Sequence, residues 1–274
     1  MLKTRVLTVI VILPLFLLAV FYFQDIFWAA LMLALTVVGA REWSKLAKFS
    51  VRNTIIFMFL TLLLGSELLI QLRESLKLDV YSLDFIAVYG ISVLFWVIAV
   101  PFYLRKGFSV QSPVVWMLVG WIVLLPTCLA LYQLRTISPI LLLATMSVIW
   151  ISDTAAYFTG RSLGKNKLAP EISPNKTWEG VAGAVVAVTV YGFACAISME
   201  KESLLIVLVP MLVVMTALGI LGDLYESLLK RQAGVKDSGN ILPGHGGILD
   251  RIDALTSSLP FAILAILIYY SSAL

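Results

Sequence analysis

Residues 203–222, SLLIVLVPMLVVMTALGILG, decide the fold class because they form twenty consecutive positions without a charged side chain. A helix of that length is about 30 Å long, which matches the hydrocarbon thickness of a bilayer. The rest of the chain agrees, since 61% of its 274 residues are hydrophobic and 13% are charged. Its mean hydropathy is +0.99. The sequence therefore predicts an integral membrane protein.

Similar apolar stretches predict an all-α, polytopic protein with about nine transmembrane helices. The first stretch follows Lys3 and Arg5, but it is too long for a typical signal peptide and is followed by FYFQD instead of small residues. We therefore expect it to remain as a transmembrane helix. The predicted spans are residues 6–23, 26–42, 54–71, 84–104, 113–134, 137–159, 179–198, 203–222 and 258–273.

The chain is predicted to form a single membrane domain, residues 1–274, with an N-terminal helical half (1–135) and a catalytic C-terminal half (136–274). Two long polar segments, 160–178 and 223–257, lie in the second half, and both are too short to bury a core of their own. The two cysteines, Cys128 and Cys195, lie in apolar spans and outside any CxxC pattern. A disulfide framework or a zinc site is therefore not expected.

The distribution of basic residues predicts the orientation. With the N-terminus in the cytoplasm, sixteen of the 20 Lys and Arg residues fall on the cytoplasmic side, in agreement with the positive-inside rule. Both polar segments then face the cytoplasm, and we expect a bacterial-type cytoplasmic (inner) membrane. The formal net charge of +4 requires no nucleic-acid partner, since anionic lipid headgroups account for it equally well. The other side keeps Arg73, Lys77, Arg135 and Lys201.

The second polar segment begins with four side chains that share one helix face, because their spacing is i, i+3, i+4 and i+7. They are Asp223, Glu226, Ser227 and Lys230. Glu226 alone is typical of a solvated helix end. Asp223 is different, because an acid at the edge of the hydrocarbon is costly without a partner.

The segment Ser227 to Asp253, SLLKRQAGVKDSGNILPGHGGILDRID, combines phosphate-binding bases with acids. Such groups can share a site when a divalent cation lies between carboxylates and phosphates. This combination indicates metal-assisted phosphoryl or nucleotidyl transfer at a membrane surface. The bases are Lys230, Arg231, Lys236, His245 and Arg251, and the acids are Asp237, Asp250 and Asp253.

A helix is predicted to start near Ile248, which puts Gly246 and Gly247 at a helix N-terminus, a natural anion site. Asp250 and Asp253 are i,i+3 neighbours on its first turns, and with Asp223 they are predicted to bind Mg²⁺. The chain's single histidine, His245, has three candidate roles: structural, phosphate contact or acid–base group. We favour phosphate contact or loop ordering, since a phosphate monoester is already an anion near neutral pH.

The first polar segment has two open interpretations. Asp153 would be expensive unpaired at the end of its span, so it either pairs with a base such as Arg161 or takes part in cation or substrate binding. Lys176 is a candidate contact to a phosphate-containing ligand. Gly180 and Gly183 suit close helix packing.

These residues resemble one family closely. The pattern S-x-x-K-R-x4-K-D-x-G-x2-L-P-x-H-G-G-x-x-D-R-x-D, from Ser227 to Asp253, is similar to the signature of phosphatidate cytidylyltransferases (CDP-diacylglycerol synthases). Asp153-Thr154 and the stretch SPNKTWEG at 173–180 are similar to that family's other polar stretch. The resemblance is specific over roughly 153–253, whereas the N-terminal half shares only hydrophobicity and span count.

The resemblance implies that phosphatidate and CTP are joined into CDP-diacylglycerol with release of pyrophosphate. It also implies a requirement for Mg²⁺, a paired centre with a second metal ion, and a homodimer. Asp223 and Asp250 would be metal ligands with Asp253 close by, and Ser227 would lie in the site. The residues implied to bind phosphates are Lys230, Arg231, Lys236 and Arg251.

Two other functions compete with this one. A CTP-dependent lipid-alcohol kinase would transfer the γ-phosphoryl group and leave CDP. An ion-coupled transporter is a further alternative, because acids within a membrane can mark ion paths. Against transport, the acids cluster at one face of the membrane, and the two halves show no internal repeat.

Overall fold

The computed structural model describes residues 2–106 and 111–273. Within these ranges the chain forms nine helices and one two-stranded sheet. The helices are α1 Leu2–Tyr22, α2 Asp25–Leu46, α3 Val51–Leu78, α4 Ile86–Lys106, α5 Pro113–Ile137, α6 Pro139–Leu163, α7 Trp178–Ser198, α8 Leu205–Ala233 and α9 Leu249–Ala273. The strands are β1 Lys167–Ala169 and β2 Ser173–Thr177.

Eight helices in the described ranges, α2 to α9, are long and apolar enough to cross a membrane. The apolar part of α1 that the structure describes, Thr8–Tyr22, is shorter. The predicted all-α membrane fold is confirmed. The side chains of Lys3 and Arg5, which enter the orientation prediction, lie outside the described residues.

Helix α8 continues beyond the predicted span, which ended at residue 222, because the residues that follow are good helix formers. It ends at Gly234, whose φ of 76° is a left-handed conformation that glycine adopts without steric cost. The N–H of Val235 then donates to the carbonyl of Lys230 at 2.9 Å, which closes the end of the helix. Asp223 and Lys230 therefore both lie on one continuous helix.

The first polar segment contains the hairpin β1–β2, which the sequence interpretation did not predict. The strands are antiparallel, with Lys167 opposite Thr177. Thr177 also caps α7, because its side chain accepts a hydrogen bond from the N–H of Gly180 at 3.1 Å. The hairpin therefore has a fixed position at the start of α7.

Helices α6 and α7 approach each other closely at glycines. A Cβ atom on Gly180 would lie 2.9 Å from the carbonyl oxygen of Ala156, and a Cβ atom on Gly183 would clash with Thr159. The predicted packing role of these two glycines is confirmed. Asp153, in the second half of α6, interacts electrostatically with Lys176 of the hairpin.

The opposite end of the bundle from the second polar segment has its own polar contacts. Asp25, the first residue of α2, pairs with Arg73 and accepts a hydrogen bond from the Tyr132 hydroxyl at 2.6 Å. Arg135 donates to the carbonyl of Val20 at 3.0 Å. Two of the four basic residues predicted for the non-cytoplasmic side, Arg73 and Arg135, therefore gather at this end.

Candidate active site

The carboxylate of Asp250, on the first turn of α9, organises the loop between α8 and α9. One oxygen accepts from the N–H of Ser238 at 2.8 Å, the Ser238 hydroxyl at 2.9 Å and the N–H of Gly247 at 2.8 Å. The other oxygen accepts from the Lys230 ammonium at 2.7 Å. Both oxygens of this predicted metal ligand thus already have protein donors.

A second carboxylate holds the same loop from the other half of the chain. Glu42, in α2, is 1% exposed and accepts from the N–H groups of Ile248 at 3.1 Å and Leu249 at 2.8 Å. The Ser238 hydroxyl, which has a single hydrogen to donate, lies 3.2 Å from Glu42 and 2.9 Å from Asp250 and is shared between the two carboxylates. These bonds satisfy the free amides at the start of α9.

The predicted anion site at Gly246 and Gly247 is therefore filled by the protein. The N–H of Gly247 donates to Asp250, and the next two amides donate to Glu42. A helix N-terminus favours negative charge, and here two side-chain carboxylates supply it. Gly246 has a φ of 80°, and a Cβ atom there would lie 2.5 Å from a carboxylate oxygen of Asp250.

Lys230 connects α8 to α9. Its ammonium lies 3.0 Å from Glu226 and 2.7 Å from Asp250, and its side chain is only 14% exposed. The i,i+4 pairing with Glu226 confirms the predicted shared helix face. A buried pair of this kind is costly to break, because the remaining charge keeps its desolvation penalty.

Lys176 connects the two polar segments. It forms an ion pair from β2 to Asp223 on α8, with the lysine side chain 25% exposed and the aspartate side chain 31% exposed. The Ser227 hydroxyl also donates to Asp223 at 3.2 Å. The partner that Asp223 was predicted to need is therefore Lys176.

Three further carboxylates lie around Asp223. Asp153 interacts electrostatically with Lys176 and Asp223. Asp253 interacts with Asp223 and Glu226. Arg161 forms no ion pair with Asp153 among the described residues, and it donates instead to the Tyr157 hydroxyl at 2.7 Å. We call Asp153, Asp223, Glu226 and Asp253 the carboxylate cluster.

The carboxylate cluster fits a divalent cation. Asp223 pairs with Lys176 and Glu226 pairs with Lys230, which is also bound to Asp250. One oxygen of Glu226 is buried without a hydrogen-bond partner among the described residues. In the same part of the chain no three His, Cys, Asp or Glu side chains form a ready metal-binding set. Mg²⁺ commonly takes one or two carboxylates and completes its shell with water and phosphate, so two acids of the cluster would suffice to hold it.

The remaining predicted bases lie outside the carboxylate cluster. Arg231, at the end of α8, and Lys236 and Asp237, in the loop, are exposed. None of the three forms an ion pair within the described ranges. Arg231 and Lys236 are free to meet an anionic ligand that arrives from solvent, whereas Asp237 would repel it.

His245 and Arg251 contact each other at the edge of the loop. The Arg251 Nε donates to the His245 carbonyl at 3.0 Å. The N–H of His245 donates to the carbonyl of Leu242 at 2.9 Å, which forms a tight turn. His245 thus helps to order the loop, one of the roles expected for it.

Glu42 is the site residue that sequence reasoning missed. The only indication in the sequence is that an acid stands at the end of an apolar stretch, where burying its charge costs free energy unless a partner is present. Its partners lie 206 and 207 residues further along the chain. No local spacing identifies them.

Comparison with known proteins extends to both halves of the chain. The model of the cytidylyltransferase family matches residues 3–269. The phosphatidate cytidylyltransferase of Haemophilus influenzae is 34% identical over 285 residues, which cover 95% of this chain and 97% of that protein. That of Pseudomonas aeruginosa is 35% identical over 273 residues, 95% of each chain.

A third relative matches a shorter region more strongly. The phosphatidate cytidylyltransferase of Bacillus subtilis is 53% identical over 114 residues, 42% of each chain. The family match and the two long alignments extend well beyond the polar segments that carry the sequence resemblance. The chain therefore belongs to the cytidylyltransferase family.

Proposed function

We propose that this protein is a phosphatidate cytidylyltransferase, which makes CDP-diacylglycerol and pyrophosphate from CTP and phosphatidate. The names of its relatives support this activity. The observation that carries the proposal is the carboxylate cluster, which Lys176 and Lys230 connect to the hairpin and to the loop. Acids and ammonium groups arranged this way suit the transfer of a charged phosphoryl centre.

The reaction is a nucleotidyl transfer. An oxygen of the phosphatidate phosphate forms a bond to the α-phosphorus of CTP, and the bond from that phosphorus to the oxygen leading to the β-phosphate breaks. Pyrophosphate leaves with the electron pair of that bond. The attacking monoester is already anionic near neutral pH, so no residue must remove a proton from it.

The lysines of the site neutralise and position the phosphates. Lys176 lies half-buried on β2, next to the exposed Pro174 and Asn175, and is suited to the triphosphate of CTP. Arg231 and Lys236, which belong to the second polar segment, are exposed and would guide CTP in from solvent. Positioning of two anionic reactants supplies most of the remaining rate enhancement.

Mg²⁺ would be held by Asp223 and Asp253, with Asp153 and Glu226 close by. When bound, it supplies charge neutralisation at the phosphate oxygens. Asp250 already accepts four hydrogen bonds from the loop and from Lys230, so we assign it first to loop organisation. A second metal ion stays a prediction from the resemblance, as does the homodimer.

We further propose that the site faces the cytoplasm from a bacterial cytoplasmic membrane. The hydrogen bond from the Thr8 hydroxyl to the carbonyl of Pro243, 2.8 Å long, supports a common side for the start of α1 and the loop. Glu42 supports the same side for the basic end of α2, with Arg41 and Lys45 beside it. A site at the membrane edge receives CTP from water and phosphatidate from the leaflet.

The by-product of the reaction tests the proposal. Purified protein in detergent, given phosphatidate, CTP and Mg²⁺, is expected to release pyrophosphate in an amount equal to the lipid product. CDP in place of pyrophosphate, with a lipid alcohol as acceptor, would support the kinase. Neither product from folded protein would favour the transporter.

A further inference from the structure

We propose that an apolar cavity between α1, α6 and α9 binds an acyl chain of the lipid substrate, with its phosphate at Arg251 and His245. The cavity has a volume of about 410 Å³, within the range of about 300–1,000 Å³ typical of ligand pockets. This inference rests on the proposed function, because it assigns a place to that reaction's lipid. No residue of α1 has a role in the reaction described above.

The wall of the cavity is apolar and comes from three helices. Its residues include Ile12, Leu13 and Phe16 on α1, Trp150 on α6, and Ile252 and Leu255 on α9. Such a surface favours hydrocarbon over water by about 25 cal/mol per Å² that is buried. An acyl chain entering from the bilayer would keep an apolar environment throughout.

One end of the cavity is polar and basic. Arg251 and His245 both line it. Arg251 is exposed and belongs to none of the ion pairs between described residues. The Nδ1 atom of His245 is buried and has no hydrogen-bond partner within the described ranges. Both groups suit a phosphate, which arginine binds through paired N–H groups.

The two ends of the cavity therefore match the two ends of phosphatidate. Arg251 lies on the same first turns of α9 as Asp250 and Asp253 but on a different face, so a phosphate there would be separated from the carboxylate cluster by one helix diameter, about 10 Å. Thr8 holds the start of α1 against the loop through its bond to the Pro243 carbonyl. The apolar residues Ile12 and Phe16, which follow it along α1, therefore lie farther from the loop than the basic end does.

A second apolar cavity serves as the competing location. It lies between α6, α7, α8 and α9, has a volume of about 280 Å³, and includes Tyr191, Met211 and Tyr269 in its lining. None of its described lining residues is charged. A lipid with one phosphate gains no ion pair there, so charge complementarity favours the α1 cavity.

Photocrosslinking with phosphatidate that carries a diazirine in one acyl chain tests the location without requiring turnover. The labelled protein is digested and the modified residues are identified by mass spectrometry. We expect label on α1 and on Trp150, with loss of that label when unmodified phosphatidate, but not phosphatidylcholine, is added. Label confined to the second cavity, or label that both lipids displace equally, would overturn the assignment.

A filled cavity provides the matched variant. Leu13→Trp should lower labelling at Trp150 and α9 by about tenfold, whereas Leu18→Trp should not, because Leu18 lies on α1 outside the cavity and is 51% exposed. Equal labelling of both variants would contradict the proposal. Folding of each variant is checked by its melting temperature, and Val9→Trp replaces Leu13→Trp if that variant unfolds.

The outcomes separate this inference from the proposed function. Pyrophosphate release together with label in the second cavity would leave the activity standing and reject the α1 site. Specific label on α1 without pyrophosphate release would keep the lipid site and reject the activity.

Discussion

Glu42 accepts a hydrogen bond 2.8 Å long from the N–H of Leu249, 207 residues further along the chain. The first residue lies on α2, and the second is the first residue of α9. The N-terminal half therefore supplies the carboxylate that caps the helix carrying Asp250 and Asp253. This contact gives the N-terminal helices a direct part in shaping the active site.

Glu42→Gln should loosen the loop between α8 and α9. In the variant, the side-chain NH₂ group would replace an oxygen that now accepts from a backbone N–H or from the Ser238 hydroxyl. A buried donor left without an acceptor lowers the free energy of unfolding by about 1–3 kcal/mol. We expect a lower melting temperature in detergent and faster proteolysis within residues 234–248. Glu67→Gln is the control, because Glu67 is exposed and bonds only Gln71 in the described part of the chain. Unchanged proteolysis of Glu42→Gln would contradict the capping role.

The pair Lys230–Asp250 should show strong energetic coupling. Its side chains are 14% and 4% exposed, and breaking a buried pair costs about 3–5 kcal/mol. A double-mutant cycle with Lys230→Met and Asp250→Asn, measured by unfolding in mixed micelles, should therefore deviate clearly from additivity. The exposed pair Lys77–Glu74, at 57% and 61%, is the control and should couple by about 0–1 kcal/mol. Equal coupling in the two pairs would be the contrary result.

Lys176→Gln should impair the reaction more than it impairs folding. It removes the ion pair to Asp223 and a cation from the proposed triphosphate site, and loss of one such stabilising group costs about 10²-fold in rate. Lys167→Gln, on the other strand of the hairpin, removes an exposed charge that has no ion pair within the described ranges. Initial rates at varied CTP check this difference. If both variants keep the wild-type rate, Lys176 has no part in catalysis.

Gly183→Ala should destabilise the protein, although alanine favours helix by about 1 kcal/mol over glycine. The new methyl group would collide with Thr159 on α6, and forced overpacking typically costs about 1–3 kcal/mol. Gly90→Ala is the matched change on α4, where nothing lies within 4 Å of the added atom, so it should be neutral or stabilising. Melting temperatures check the opposite signs, and a shared sign would argue against the close packing of α6 and α7.

Local patterns predicted much of the fold and part of the site. The uncharged run at 203–222 predicted a membrane helix, and the spacing of Asp223, Ser227 and Lys230 predicted their common face. Both are confirmed by α8 and by the i,i+4 contacts along it. The expected helix start near Ile248 is confirmed by α9, which begins at Leu249.

The parts that were missed depend on long-range contacts. Glu42 gives no local sign that it caps a helix in the other half. The strand Ser173–Thr177 contains a proline and lacks a clear alternation of apolar residues, so it did not predict a hairpin. The hydrogen-bond donors to Asp250, which are Lys230, Ser238 and Gly247, were also not predicted, because only the folded loop brings them together; its role as a metal ligand stays a prediction.

The transfer of label from CTP labelled at the α-phosphate into extractable lipid tests the central claim most directly. Wild-type protein with phosphatidate and Mg²⁺ should form labelled lipid, and EDTA should stop its formation. Asp223→Asn should reduce the rate by at least about 10²-fold, whereas its melting temperature should stay close to that of the wild type. Labelled lipid at the wild-type rate from Asp223→Asn, or formation that EDTA does not affect, would contradict a cation-dependent reaction centre at the carboxylate cluster.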